Sequence, residues 1–292
     1  MLDFSLQHPE TIMKKIFAAA SLFALSLPAF AGWDDPQEPF QLFGNSYYVG
    51  PKGVSSVLIT SPAGHILIDA GTAKSHEQII PHIRQLGFKV EDIKYILTSH
   101  EHHDHVGSIA ELQRASGAVV VGSALSVAVM KTGEASKDDP QFGDLSKFAP
   151  AAATRVVGDG EVVTVGPLSV TAHYTPGHTP GGVSWTWQSA EGGRTANMVY
   201  GDSITAYGAP GYKFSAHPEV LASLRNTFAR VAALKCDILV TAHPEAGGLW
   251  PRVEKRAQLG NAALIDPDAC RKYAAKGTAR LETVLAEEKA KP

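Results

Sequence analysis

The stretch from His100 to His105 concentrates the side chains best suited to metal chemistry. It places four histidines and two carboxylates in six consecutive positions, in the order His-Glu-His-His-Asp-His. Imidazole nitrogens and carboxylate oxygens are the ligands that zinc takes at hydrolytic sites. A turn that crowded these rings together without a metal would suffer repulsion whenever they became protonated. The sequence therefore predicts a metal site here.

Two predicted elements position this motif. The apolar run from Ile93 to Leu97 indicates a buried strand, and residues 106–114 have the apolar spacing of a helix. The motif would then lie on a loop at the carboxyl end of a strand, where open α/β sheets build their sites.

Two histidines from the second half of the chain also follow predicted strands. His178 lies in a turn rich in glycine and proline, and His243 follows the apolar run 237–241. Six side chains could thus hold two adjacent zinc ions, namely His100, His102, Asp104, His105, His178 and His243. Three protein ligands for each ion leave an open position for water, which is typical of a catalytic zinc site.

Five other histidines lack a comparable setting. We expect His103 to support the site or to face solvent, because it points the opposite way from its neighbours. His76 and His82 are expected on the solvent side of a helix, and His173 and His217 in structural roles.

The composition bounds the class of protein. The 292 residues are 44% hydrophobic and 19% charged, as in ordinary globular proteins with a sizeable core. A formal net charge of −3 and the lack of a long Lys/Arg run argue against nucleic-acid binding.

The N-terminal residues have the pattern of an export signal. A basic start at residues 13–15 precedes the apolar stretch 16–27 and a small-x-small cleavage site at 29–31. We expect translation to start at Met13, with residues 1–12 as an upstream extension, and cleavage to leave residues 32–292 as one periplasmic domain. The apolar stretch is short for a bilayer span, so no membrane anchor is expected after cleavage.

Only two cysteines occur, Cys236 and Cys270, both in the predicted mature part. In an oxidising compartment such a pair usually forms one disulfide. Neither belongs to a Cys-x-x-Cys pair, which argues against redox catalysis. Zinc ligation by a cysteine is the alternative, given the many histidines.

Short apolar segments separated by turns predict strands in both halves of the chain. Helices are expected from Ser75 to Gly87, after the metal motif, and over 218–234. Residues 127–150 hold few periodic apolar residues and are interpreted as a long loop that walls or covers a site. Two sheet-rich halves flanked by helices predict an α/β fold with four layers, helix–sheet–sheet–helix.

The whole pattern resembles a known family. The motif His-x-His-x-Asp-His, with later Gly-His and His-Pro segments, is similar to the metallo-β-lactamase superfamily. More narrowly, Thr-Pro-Gly-His-Thr-Pro-Gly-Gly at 175–182 and Ser-Trp-Thr-Trp at 184–187 resemble subclass 3 of the class B metallo-β-lactamases. Asp202-Ser203 stands where subclass 1 enzymes carry a zinc-binding cysteine, and the cysteine pair also agrees. The resemblance runs from residue 39 to residue 273.

The resemblance implies two Zn²⁺ ions per subunit and a role for each site residue. The first ion would be held by His100, His102 and His178, and the second by Asp104, His105 and His243. Asp69 would hold the metal loop from behind, while Ser203 and Thr205 would contact the substrate carboxylate. Thr205 replaces the expected serine and adds a methyl group.

The implied activity is hydrolysis of a β-lactam amide by a metal-bound hydroxide that Asp104 orients, without an acyl-enzyme. Such an enzyme would confer resistance to penicillins, cephalosporins or carbapenems, and we expect it to act as a monomer. The alternatives are another di-zinc hydrolase of this fold, a lactonase or a glyoxalase II thioesterase, or a periplasmic zinc-binding protein. In most of those hydrolases a Gly-Asp aspartate bridges the ions. We expect Ser203 to face the metals here and Asp202 to point away.

Overall fold

Two β-sheets form the centre of the fold. The computed structural model describes Met1 and residues 32–290. The predicted export signal, which starts at Met13, lies outside the described residues. The first sheet contains seven strands in sequence order: β1 Phe40–Phe43, β2 Ser46–Tyr48, β3 Val57–Ile59, β4 His65–Ile68, β5 Ile93–Leu97, β6 Val119–Gly122 and β7 Thr154–Val156. Strands β1 to β4 pair antiparallel, and β4 to β7 pair parallel.

The second sheet holds five strands from the other half of the chain. They are β8 Val162–Val165, β9 Leu168–Tyr174, β10 Val183–Glu191, β11 Arg194–Gly201 and β12 Ile238–Thr241. The order is β12-β11-β10-β9-β8, and only β11 and β12 pair parallel.

Helices cover the outer faces of both sheets. They are α1 His76–Gln85, α2 His103–Val106, α3 Ile109–Ser116, α4 Ala124–Thr132, α5 Pro218–Ala233, α6 Leu249–Glu254, α7 Arg256–Leu259 and α8 Ala269–Ala290. Three short 3₁₀ turns lie at Val90–Asp92, Phe214–Ala216 and Gly260–Leu264. No helix among residues 32–290 combines the length and the apolarity needed to cross a bilayer.

Three apolar interfaces separate four layers. Because successive strand residues face opposite sides, Ile66 and Ile68 of β4 pack between the sheets while Leu67 packs under the helices α1 and α3. The same alternation in the second sheet puts Met198 between the sheets and Val199 under α5 and α8. The predicted four-layer α/β sandwich is therefore confirmed.

One predicted loop is partly helical. Residues 127–150 were expected to be loop throughout, but α4 extends to Thr132 and ends at Gly133, whose φ is 70°. The Ser123 hydroxyl caps this helix by accepting a hydrogen bond from the Ser126 amide at 3.2 Å. Apolar residues occupy the exposed side of this helix as well, at Ala124, Leu125 and Ala128, so its sequence lacks the one-sided apolar spacing that marks a surface helix.

A disulfide ties the last helix to the second sheet. Cys236, just before β12, is bonded to Cys270 in the first turn of α8. Since His243 follows β12, this crosslink fixes the base of a strand that leads into the predicted metal site.

Candidate metal centre

Four chain segments that follow strands build the site. The loop after β5 carries the His-x-His-x-Asp-His motif, and the turn after β9 carries His178. The segment after β11 carries Asp202 and Ser203, and His243 follows β12. Both sheets therefore contribute, and the side chains meet only because the two halves pack together.

The first group consists of three buried histidines, His100, His102 and His178. One ring nitrogen of each lies within 4.8 Å of the others, close enough for all three to bind one ion. The ring centroids of His100 and His102 are 4.8 Å apart, and those of His102 and His178 are 4.9 Å apart.

The second group consists of Asp104, His105 and His243. The His105 Nε2 atom lies 3.2 Å from the Asp104 Oδ2 atom and 3.2 Å from the His243 Nε2 atom. The rings of His100 and His105 are 4.2 Å apart at their centroids, so the two groups are adjacent.

In each of the five rings the outer nitrogen, the one on the side away from the other candidate ligands, lies within 3.6 Å of a protein oxygen. The partners are Asp202 Oδ1 at 2.9 Å for His100 Nδ1, Asp139 Oδ2 at 3.0 Å for His102 Nε2, Asp69 Oδ2 at 3.6 Å for His105 Nδ1, the Thr205 carbonyl at 2.9 Å for His178 Nδ1, and the Gly53 carbonyl at 3.2 Å for His243 Nδ1. The hydrogen bonds of His102, His178 and His243 hold the proton on the outer nitrogen and leave the lone pair of the inner nitrogen available to a metal.

The residues fit a pair of divalent cations. Within residues 32–290, the Nε2 atom of His100 is buried without a hydrogen-bond partner, as expected of a nitrogen that a metal would occupy. Five carboxylates are also buried around the rings: Asp69, Glu101, Asp104, Asp139 and Asp202. Burying so much negative charge is costly unless cations compensate it.

The protonation states suit metal binding at the first group. Burial and the neighbouring rings hold the pKa of His100 well below its usual range, and burial lowers the pKa of His178 to about 3. Both rings are therefore neutral at pH 7. In the second group burial opposes protonation, but the carboxylates of Asp104 and Asp69 together outweigh it and raise the pKa of His105 to about 10. A cation that bound there would displace this proton.

Asp69 holds the start of the metal loop. Its carboxylate accepts hydrogen bonds from the Ser99 amide at 2.6 Å, the Ser99 hydroxyl at 2.6 Å and the Tyr200 hydroxyl at 2.8 Å. Asp69 has a φ of 59°, and no other non-glycine residue of the described chain has a positive φ. A strained backbone held by several contacts is a common feature of functional sites.

The side chains of Asp202 and Ser203 face different surroundings, as expected of adjacent residues in an extended segment. Ser203 lines a cavity beside His243. Asp202 is fully buried, and its carboxylate contacts the outer nitrogen of His100 and the Thr175 hydroxyl. Asp202 belongs to neither ligand group. The sequence predicted only that it would point away from the metals, whereas the structure places its carboxylate against the His100 ring.

A cavity of about 230 Å³ adjoins the second group. It is lined by Ser203, Thr205 and His243 and by two cations of α8, Lys276 and Arg280. Neither cation forms an ion pair within residues 32–290. The cavity therefore combines hydroxyl groups and two unpaired cations with a largely apolar lining that includes Ile204 and Ala246.

The other histidines lie outside both ligand groups. His103 is half-buried, and its ring lies 5.7 Å from that of Trp33. The expectation that His76 and His82 face solvent is wrong. Both are half-buried, and His82 bonds the Val49 carbonyl at 2.8 Å while His76 contacts the Ser108 hydroxyl at 3.1 Å. Helix α1 therefore uses its polar face for contacts to neighbouring loops.

Two buried carboxylates at the site were given no individual role from the sequence. Asp139 lies in the 133–150 loop, and Glu101 lies between His100 and His102. The loop was suspected of walling a site, but nothing in the order Asp138-Asp139-Pro140 indicates which aspartate turns inward. The structure buries Asp139 and exposes Asp138.

Known proteins share this architecture. Residues 49–243 match the family model of the metallo-beta-lactamase superfamily. The crystal structure of MEM-A1, a subclass B3 metallo-beta-lactamase from a soil metagenome library, is 56% identical, covers 89% of this chain and 100% of MEM-A1, and has a TM-score of 0.88. MIM-1 from Novosphingobium pentaromativorans is 43% identical, with coverages of 91% and 96% and a TM-score of 0.85.

Curated relatives are more distant. The N-acyl homoserine lactonase AttM of Agrobacterium fabrum is 30% identical over an alignment of 154 positions that covers 42% of this chain and 55% of the lactonase. The chain matches between 40% and 65% of the length of the curated relatives. The family model and the 56% identity over the full length of MEM-A1 carry the assignment: this chain belongs to the metallo-beta-lactamase superfamily and, within it, to the subclass B3 metallo-β-lactamases.

Proposed function

We propose that this protein is a zinc-dependent β-lactamase, which hydrolyses the amide of a β-lactam ring and so confers antibiotic resistance. The observation that carries the proposal is the pair of adjacent ligand groups, in each of which one candidate ligand atom of every side chain lies within 4.8 Å of the others. This arrangement occurs in a chain with the subclass B3 fold, 56% identical to MEM-A1.

His100, His102 and His178 would hold one zinc ion, and Asp104, His105 and His243 the other. Bound zinc supplies Lewis acidity, which activates water as a nucleophile and polarises the amide carbonyl. The Asp104 carboxylate is the one anionic side chain in the two groups, so it can accept a hydrogen bond from the attacking water and orient it.

The cavity beside the second group suits an anionic substrate. Ser203 and Thr205 would donate hydrogen bonds to the carboxylate that β-lactam antibiotics carry, and Lys276 and Arg280 would attract it. The Lys276 ammonium also donates to the Ala246 carbonyl at 3.1 Å, which places this charge on the His243 side of the cavity.

The position of Asp202 supports a β-lactamase over a lactonase or thioesterase. Its carboxylate contacts the outer nitrogen of His100 at 2.9 Å and lies in neither ligand group. An aspartate that bridged two ions would have to face the inner nitrogens instead. Because Asp202 does not face the inner nitrogens, the space between two bound ions would remain open to water and to a bulky substrate.

We also propose that the protein is exported to the periplasm, where β-lactams meet their targets, and that it acts there as a monomer. The basic and apolar segments before residue 32 support export.

A substrate panel tests the proposed function. The purified mature protein, loaded with zinc, should hydrolyse nitrocefin and members of the penicillin, cephalosporin and carbapenem classes. It should act poorly on an acyl-homoserine lactone and on a glutathione thioester. Turnover of the lactone or the thioester without turnover of any β-lactam would overturn the proposal, as would full zinc binding without any hydrolysis.

A further inference from the structure

Glu101 is a buried carboxylate for which the proposed chemistry has no use. It occupies the variable position between His100 and His102, and its exposure is 4%. It belongs to neither ligand group. A carboxylate buried this far requires several hydrogen-bond donors to compensate for lost water.

The donors come from two other segments of the chain. The Oε2 atom accepts hydrogen bonds from the Ser126 hydroxyl of α4 at 2.8 Å and from the Thr179 hydroxyl at 3.2 Å. The Oε1 atom accepts from the Gly181 amide at 3.1 Å. Thr179 directly follows His178, so Glu101 joins the loop that carries two histidines of the first group to the turn that carries the third.

Gly181 shows how closely the two loops approach. A β-carbon built on Gly181 would lie 2.6 Å from the Oε2 atom of Glu101 and 2.7 Å from the Ser126 amide nitrogen. Gly181 does not have a positive φ, so the approach of Glu101 and α4, rather than the backbone conformation, accounts for a glycine here. The Ser123 hydroxyl donates to the Gly181 carbonyl at 2.8 Å and completes the junction.

We propose that Glu101 is a positioning residue that sets the geometry of the three-histidine group by clamping the His100–His102 loop to the His178 turn. It acts through hydrogen bonds to Ser126, Thr179 and Gly181 and does not itself bind the metal. Removing the clamp lets His178 shift relative to the other two rings, so the first ion is bound more weakly while the second is largely unaffected. The inference rests on the proposed binding of two zinc ions.

Zinc affinity tests the clamp without reference to turnover. The affinities of both ions are measured by competition with a chelator in the wild type, Glu101→Ala and Glu101→Gln. Because contacts that orient metal ligands typically contribute 10- to 100-fold to affinity, Glu101→Ala should weaken one ion by roughly that factor and leave the other near its wild-type value. Glu101→Gln can still accept from the Gly181 amide and should restore most of the loss. The absorption spectrum of the cobalt(II)-substituted protein should change in Glu101→Ala and return in Glu101→Gln.

Two further variants complete the design. Glu111→Gln is the matched control, because Glu111 is a more exposed carboxylate of α3 that pairs with Arg114. Ser126→Ala removes one donor without altering either metal-binding loop, so it reports even if Glu101→Ala fails to fold, and it should weaken the same ion to a smaller extent.

Unchanged affinities in Glu101→Ala, or in Ser126→Ala where Glu101→Ala does not fold, would overturn the inference, as would equal weakening of both ions. A wild type that binds no zinc would instead overturn the proposed function, so the two failures are distinguishable.

Discussion

At the scale of single residues, each candidate histidine has two distinct nitrogens. The outer nitrogen contacts the protein, and the inner nitrogen is the candidate metal ligand. Each ring contacts a carboxylate or a carbonyl on the side away from the site. The six ligand candidates could be predicted from spacing, because the motif and two strand ends bring them close. Their supports could not, because Asp139 reaches His102, and Glu101 reaches the turn after His178, only through tertiary contacts of loops.

The ligand assignment makes the first prediction. His102→Ala and His178→Ala should each abolish turnover and reduce bound zinc, because one of three ligands is lost. His103→Ala is the control, since His103 lies outside both ligand groups, and it should keep activity within about tenfold. Near-native activity with full zinc in either ligand variant would show that the assignment is wrong.

The second prediction concerns Asp139, the buried aspartate that contacts the outer nitrogen of His102. Asp139→Ala leaves the outer nitrogen of His102 without its partner, so zinc affinity or kcat/KM should fall by roughly 10- to 100-fold. The neighbouring Asp138→Ala removes an exposed carboxylate from the same loop and should behave like the wild type. Equal effects of the two substitutions would contradict an orienting role for Asp139.

At the scale of elements, periodicity predicted the types of element better than their limits. A single helix was expected over 106–114, but α2 ends at Val106 and α3 begins at Ile109. A β-carbon on Gly107 would lie 2.4 Å from the Ala73 amide nitrogen, and the Gly107 amide bonds the Gly71 carbonyl at 2.8 Å. The neighbouring loop around Gly71 and Ala73 therefore separates α2 from α3. The apolar spacing of the sequence does not indicate this contact.

Helix α8 contributes charge to the substrate cavity. The Tyr273 hydroxyl donates to the Asp202 carbonyl at 2.8 Å, and Gly277 permits close approach to the Ile204 carbonyl. These contacts hold the helix against the segment that carries Ser203, and they place Lys276 at the cavity.

Lys276→Met should therefore raise the KM for an anionic β-lactam by about two- to fivefold, because an exposed charge contributes modestly. It should also weaken the salt dependence of kcat/KM, with kcat little changed. Lys289→Met removes the same charge more than three turns further along α8 and is the control. A KM that stays at the wild-type value in Lys276→Met would exclude this residue from substrate binding.

The disulfide also acts between elements, because it joins α8 to the segment that leads into β12. The bonded cysteines are 34 residues apart, and closing a loop of that length in the unfolded chain stabilises the fold by about 3 to 4 kcal/mol. The double variant Cys236→Ser/Cys270→Ser should lose stability of that order in denaturant unfolding, with the reduced wild type as a comparison. Thiol titration of denatured, unreduced protein should find no free thiol, whereas two free thiols would contradict the crosslink.

At the scale of the whole molecule, the metal centre is a property of the packed halves. The first half supplies His100, His102, Asp104 and His105, and the second supplies His178 and His243. The apolar core between the sheets holds these halves together, with Leu97 and Trp185 both fully buried in it. Composition and strand pattern were sufficient to predict this four-layer arrangement, because each sheet must bury both faces.

Metal binding should consequently stabilise the whole fold, because an ion that binds both halves binds only the native state. The stabilisation expected at a thousandfold excess over Kd is about 4 kcal/mol. The same dependence makes the metal-free protein the right starting point for a test of the central claim.

That test is a zinc titration of the metal-free, mature protein, in which hydrolysis of a β-lactam is followed as a function of zinc added per chain. We expect little hydrolysis before zinc is added, a rise in activity that levels off at about two equivalents, and loss of activity with a chelator that zinc reverses. Hydrolysis that persists in the metal-free protein, or two bound zinc ions without any β-lactam hydrolysis, would contradict the account.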